Sequence, residues 1–67
     1  MILSIENKED ITKITFSAPR EKIAFYRFIL ESYDNLGIQT TEAGSNIITW
    51  SVPDSQLEDA RQLLVNI

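Results

Sequence analysis

Cysteine and histidine are both absent from this chain of 67 residues, and glycine and proline occur only twice each. Without thiol or imidazole groups the chain cannot form disulfides, thiolate nucleophiles, histidine general bases or the usual zinc sites. The lack of cysteine fits a reducing compartment. The first residues have neither the basic flank nor the apolar length of a signal peptide. These features predict a cytoplasmic protein.

Positive charge is also scarce, because six Lys and Arg stand against ten Asp and Glu and give a net charge of −4. A nucleic-acid binder needs a basic field to displace counterions from phosphates, and an anionic membrane surface makes a similar demand. No apolar run approaches the ~20 residues of a membrane span. We therefore expect neither nucleic acid nor a membrane among the partners.

The length predicts a single domain over residues 1–67. A domain of this size buries only ~60% of the surface that its unfolded chain exposes. Small cores without disulfides or metals often gain stability by oligomerising. This favours a homo-oligomer or a protein partner.

The N-terminal part of the sequence has the pattern of a β-hairpin. Residues 11–18 alternate, with Ile14, Phe16 and Ala18 on one face, as in a half-buried strand. Residues 2–5 read as a short strand before it, and the polar residues 6–10 as the turn between them. The hairpin would place the N-terminal segment at the edge of a sheet.

A helix is predicted from Pro19 to Leu36, since proline suits a first helical turn. Gly37 is expected to end this helix in a left-handed conformation. The predicted buried face contains the apolar residues at helical spacing, which are Ile23, Tyr26, Ile29, Leu30, Tyr33 and Leu36.

Two further strands are predicted over residues 38–43 and 47–52, joined around Gly44. Their turn has either two residues or three with a bulge, and the choice reverses the faces of the first of these strands. Pro53 ends the second strand. A last helix follows, which Asp54 or Ser55 would cap, and Ser55 with Glu58 has the spacing of a capping box. Its predicted apolar stripe is Leu57, Ala60, Leu63, Leu64 and Ile67.

The predicted fold is therefore α+β, in the order ββαββα, with one antiparallel sheet covered on one face by two helices. Right-handed crossovers between strands and helices give a ferredoxin-like two-layer sandwich. The usual plait ends on a strand. Here the N-terminal strand fills that vacant edge, so the last strand of the plait is permuted.

Residues 28–37 (FILESYDNLG), followed by Thr40-Thr41 and by residues 48–53 (ITWSVP), resemble a bacterial family of small domains labelled as a domain of unknown function. The resemblance implies no activity. The same pattern is similar, more distantly, to ACT domains, which sense amino acids in metabolic enzymes. Those domains carry a glycine in the turn after their first strand, whereas this chain has residues 17–20 (SAPR). The resemblance therefore implies an ACT-like architecture without implying the amino-acid site.

Carboxylates are the remaining candidates for catalysis or metal binding. Glu6, Glu9 and Asp10 fall in the predicted turn, and Glu58 and Asp59 on an exposed helix face. Catalytic pairs need a cleft and unequal pKa values, and a calcium loop needs EF-hand spacing, neither of which is evident here. We predict solvated charge clusters, with no catalytic residue, metal site or cofactor.

Phe28 falls away from the predicted buried face of the first helix, beside Ala24. An exposed phenylalanine is either an ordinary surface residue or the centre of a contact patch. The strand that carries Thr40 and Thr41 should be a sheet edge without a protecting lysine or proline. These four residues form the candidate interface of a non-enzymatic binding or regulatory module, expected to be a homodimer. The alternative is an accessory subunit that docks on a larger enzyme through Phe28.

Overall fold

The computed structural model describes residues 2–33, 36–42 and 44–66. Four strands and two helices follow one another as Ile2–Lys8 (β1), Ile11–Ser17 (β2), Ile23–Glu31 (α1), Ile38–Thr41 (β3), Ile47–Pro53 (β4) and Leu57–Val65 (α2). A short 3₁₀ turn precedes each helix, Arg20–Lys22 before α1 and Asp54–Gln56 before α2. The predictions for Asp34, Asn35, Ala43 and Ile67 lie outside the described residues. The α+β class is confirmed.

All strand pairs are antiparallel, and the order across the sheet is β1-β2-β4-β3. The prediction that the N-terminal segment pairs with the strand around Ile14 is confirmed, since Ile5 lies opposite Ile14. The predicted turn over residues 6–10 is wrong. β1 continues to Lys8, and Glu9 turns the chain with a positive φ of 60°. An edge strand exposed on both faces needs no apolar alternation, so its polar end resembled a loop.

The core lies between one face of the sheet and both helices. Ile14, Phe16, Ile48, Trp50 and Val52 point into it from the central strands and are buried, as the alternation predicted. The helices and their connections close it with Leu30, Leu36 and Ala60, flanked by Ile23, Tyr26, Leu57, Leu63 and Leu64. The helices therefore cover one face of the sheet, and the opposite face is here called the open face.

The first helix ends earlier than predicted, at Glu31. The Ser32 hydroxyl donates to the Phe28 carbonyl over 2.7 Å, and Tyr33 is 52% exposed rather than buried. Gly37 does not have a positive φ. A Cβ at this position would lie 2.6 Å from the Ser51 carbonyl oxygen. Gly37 therefore allows the chain to approach β4 closely, and its predicted role as a left-handed cap is wrong.

Neither predicted turn joins β3 to β4. Thr41 lies opposite Ile48, so the connection runs over residues 42–46, with Gly44 at a φ of 74°. This register places Gln39 and Thr41 on the helix-covered face and Ile38 and Thr40 on the open face. The prediction that this strand lies at a sheet edge is confirmed.

The two helices begin in the same way. Pro19 and Pro53 are extended, with φ and ψ of −56° and 143° and of −58° and 141°, and each leads into its 3₁₀ turn. Within the described residues, neither Lys22 nor Gln56, the residue before each α-helix, caps it with a side-chain hydrogen bond. The predicted capping box of Ser55 and Glu58 is therefore wrong, since the 3₁₀ turn places the start of α2 at Leu57.

Candidate interaction surfaces

The outer side of α1 carries an apolar patch. Phe28 is 70% exposed, and Ala24, one helical turn before it, is also exposed. The prediction that Phe28 points away from the core is confirmed. The two residues are neighbours on the helix surface because residues four apart share a face.

Phe25 extends this patch, although the sequence analysis does not assign it to a contact surface. Its side chain is 44% exposed, and its ring meets that of Tyr26 edge-on at 5.9 Å. The signal was its spacing of three residues from Phe28, which places both rings on adjacent turns. We call Ala24, Phe25 and Phe28 the outer patch.

Negative charge borders the outer patch at both ends. Glu21 lies one turn before Ala24, and Glu31 one turn after Phe28, and both side chains are exposed. Arg20 and Arg27, which lie four residues before and three residues after Ala24, are exposed beside it as well. The patch is therefore an apolar surface bordered by charges of both signs.

The structure separates Thr40 from Thr41, although the sequence groups them. Thr40 is exposed on the open face opposite Thr49. It borders a shallow depression of about 310 Å³ that also includes Thr15. The Thr41 hydroxyl is buried on the helix-covered face and has no hydrogen-bond partner among the residues that the structure describes. Of these two threonine side chains, that of Thr40 is therefore the one placed to contact a partner across the open face.

A second depression on the open face lies at the other end of the sheet. It has a volume of about 500 Å³ and is lined by Ile11, Gly37, Ile38, Ser51 and Pro53. Ile38 is 69% exposed there. Its lining is mainly apolar, with Ser51 as the one residue that has a polar side chain.

β1 is exposed along its whole length. Ile2, Leu3 and Ile5 keep between 44% and 49% of their surface accessible, although Ile2 and Ile5 lie opposite the buried Phe16 and Ile14. The helices therefore leave this edge of the sheet half-covered. Ile2 also borders a small gap of about 140 Å³ toward Leu64 and Val65 of α2.

A polar cluster joins the β1–β2 hairpin to the start of α2. The Asn7 amide donates to both carboxylate oxygens of Asp54 at 2.9 Å, and the Thr12 hydroxyl donates to Asp54 Oδ1 at 2.7 Å. Thr12 is buried, and its hydroxyl also accepts from the Asn7 amide. Each polar group thus satisfies another, as a structural network requires.

The acidic residues considered for chemistry remain apart or exposed. Glu6, Glu9 and Asp10 lie at the exposed end of the first hairpin, and Glu58 pairs with Arg61 at 3.7 Å on α2. Among the described residues, no group of three acidic, histidine or cysteine side chains is arranged to hold a metal ion.

Comparison with known proteins assigns the chain to a family. The model of the family described as Domain of unknown function (DUF4911) matches residues 16–67, and the chain belongs to that family. The match covers α1, β3, β4 and α2 but not β1. No curated protein and no solved structure matches the chain. Both helices have nine residues, and in the described part of the chain neither is long and apolar enough to cross a bilayer.

Proposed function

We propose that this protein is a small non-enzymatic binding or regulatory module that acts as a homodimer in the cytoplasm. We further propose that its fold is a ferredoxin-like, ACT-like plait. The strand order supports this assignment, because β1 occupies the edge that the last strand of a plait would fill. The absence of cysteine favours a reducing compartment.

The observation that carries the proposal is the exposure of large apolar side chains on so short a chain. Phe28 is 70% exposed within the outer patch, and three apolar residues of β1 are nearly half exposed. Burying such groups against a partner gains about 25 cal/mol per Å² of apolar surface. A small domain with limited internal burial benefits most from this gain.

Sedimentation equilibrium over a wide concentration range tests self-association directly. We expect a monomer–dimer equilibrium, and a strict monomer at high micromolar concentration would contradict the homodimer.

Two variants then assign the surface through which the dimer forms. Loss of the dimer in Phe28→Glu, with retention in the matched exposed variant Arg27→Glu, assigns it to the outer patch. Loss in Thr41→Pro, with folding checked by circular dichroism, assigns it to the β3 edge, and retention in both assigns it elsewhere.

A second candidate function is that of an accessory subunit that docks on another protein through the outer patch. The exposure of Phe28 favours this alternative, since a 70%-exposed aromatic side chain bordered by charged residues has the composition of a docking surface. The two functions predict different molar masses for the isolated protein in solution, since only the homodimer gains mass as the concentration rises. A chain that stays monomeric alone, and loses a defined complex in Phe28→Glu but not in Arg27→Glu, is an accessory subunit.

A further inference from the structure

We infer that β1 is the self-association surface, and that it pairs antiparallel with β1 of a second copy to form a continuous eight-stranded sheet. The inference rests on the proposed homodimer and names the strand that forms it. It also leaves the outer patch free for another partner.

The two sheet edges differ in length. β1 has seven residues, whereas β3 has four. A free edge presents unpaired backbone N–H and C=O groups, and proteins protect themselves by keeping edges short. β3 meets that condition and β1 does not. The longer edge therefore offers more backbone hydrogen bonds to an added strand.

The side chains of β1 also lack cover on the outer side. Ile5 lies opposite Ile14, which is fully buried, yet Ile5 itself remains 48% exposed. Its side chain therefore lies on the helix-covered face, at the point where the helix layer stops. A strand added to this edge would place another side chain beside Ile5 at about 4.5–5.5 Å between Cβ atoms.

β1 is complementary to itself in one register. When the two-fold axis passes through Ile5, all seven residues of β1 are paired with β1 of the second copy. Ile5 then faces Ile5 of the second copy, and Glu6 faces Ser4 of the second copy. An axis through Glu6 would place two carboxylates opposite each other, which is destabilising. An axis through Ser4 would pair only residues 2–6 of the strand, and an axis through Asn7 only residues 6–8. The Ile5 register is therefore favoured by both overlap and charge.

The regular part of the strand supports this choice. The irregularity in the β1–β2 ladder lies between Ile2 and Ser4, and pairing is regular from Ser4 to Lys8. The pairs nearest the proposed axis involve Ser4, Ile5 and Glu6, which belong to the regular part. The irregular end would lie at the outside of the interface, opposite Asn7 and Lys8 of the second copy.

Single-cysteine variants test the register, since the natural chain has no cysteine to compete. Disulfides need Cβ atoms about 3.5–4.5 Å apart, which an Ile5–Ile5 pair reaches with a small adjustment. Under mild oxidation most molecules of the Ile5→Cys variant should form a covalent dimer. The rate of cross-linking should be at least about tenfold above that of Ile38→Cys, the exposed control on β3. Ser4→Cys mixed with Glu6→Cys should cross-link preferentially to each other.

Sedimentation of the Phe28→Glu variant tests the β1 interface without a contribution from the outer patch. We expect that chain to remain a dimer, and the further change Ile5→Lys to weaken dimerisation at least about tenfold, because two lysines would face each other. If the protein is a dimer but Phe28→Cys cross-links and Ile5→Cys does not, the β1 interface is wrong and the homodimer stands. If neither cross-links and the wild type is a monomer, both are wrong.

Discussion

Trp50 is the largest fully buried side chain and connects the two layers. Its ring meets Phe16 edge-on at 5.5 Å, and its indole N–H donates to Gln39 Oε1 over 2.8 Å. The Gln39 amide in turn donates to the Ile23 carbonyl at the start of α1. One residue of β4 is thus tied to β2, to β3 and, through Gln39, to a helix.

We predict that Trp50→Ala lowers the free energy of unfolding by ~3–5 kcal/mol, because it leaves a large cavity and removes the hydrogen-bond donor to Gln39 Oε1. Urea denaturation followed by circular dichroism measures the change. Trp50→Phe serves as the control and should cost less, since the ring remains. An unchanged denaturation midpoint for Trp50→Ala would show that the indole does not support the core.

Asp54 illustrates a polar contribution at the same scale. Asp54→Ala removes the acceptor of the Asn7 amide and of the buried Thr12 hydroxyl. We expect a loss of about 1–3 kcal/mol in the free energy of unfolding, the usual cost of stranding buried polar groups. Glu31→Ala, which removes an exposed carboxylate from α1, should change stability little. Equal effects of the two variants would argue against a structural role for the cluster.

At the scale of the elements, β1 is an exposed edge strand whose contribution to the stability of the sheet can be estimated. Its pairing to β2 covers one side of the central strand, and its three apolar side chains are about half-buried. Half-burial of three such residues contributes about 2–4 kcal/mol. The family match begins after β1, at residue 16, so the strand lies outside the shared region.

Deletion of residues 1–5 should therefore lower the melting temperature by roughly 8 °C or more, as a loss of about 2 kcal/mol does in a domain of this size. Calorimetry at low protein concentration measures this separately from association. A truncated chain that melts where the intact chain does would mean that the segment adds no stability to the sheet.

The elements also show what sequence patterns can and cannot predict. The alternation of apolar and polar residues along β4 correctly predicts that Ile48, Trp50 and Val52 lie in the core, because successive side chains of a strand point to opposite faces. Gly37 was misassigned, since a glycine that caps a helix and one that permits close approach are identical in sequence. The contacts of Asp54 with Asn7 and Thr12 join distant segments, and no local pattern marks such a network. Phe25 was missed because it lies at the border between the buried and exposed sides of α1.

For the whole molecule, self-association links stability to concentration. A dimer that dissociates on unfolding becomes more stable as its concentration rises, by mass action. We predict that the melting temperature increases across a roughly hundredfold range of concentration, and that this dependence disappears in Ile5→Lys. A wild-type melting temperature that is constant over this range would contradict the homodimer.

The matching proline and 3₁₀ turns before α1 and α2 have a consequence for the architecture as a whole. Each follows a seven-residue strand of the sheet centre and leads into a nine-residue helix, so the chain consists of two ββα halves. Their sequences are similar where the central strand meets the proline, with ITFSAP at residues 14–19 and ITWSVP at residues 48–53. The strand order β1-β2-β4-β3 makes these halves equivalent about an internal pseudo-two-fold axis between the central strands. Neither half can enclose the core alone, since Ile14 and Phe16 come from one and Trp50 and Val52 from the other. The halves, produced as separate peptides divided within residues 32–37, should therefore be unfolded in isolation and fold when mixed.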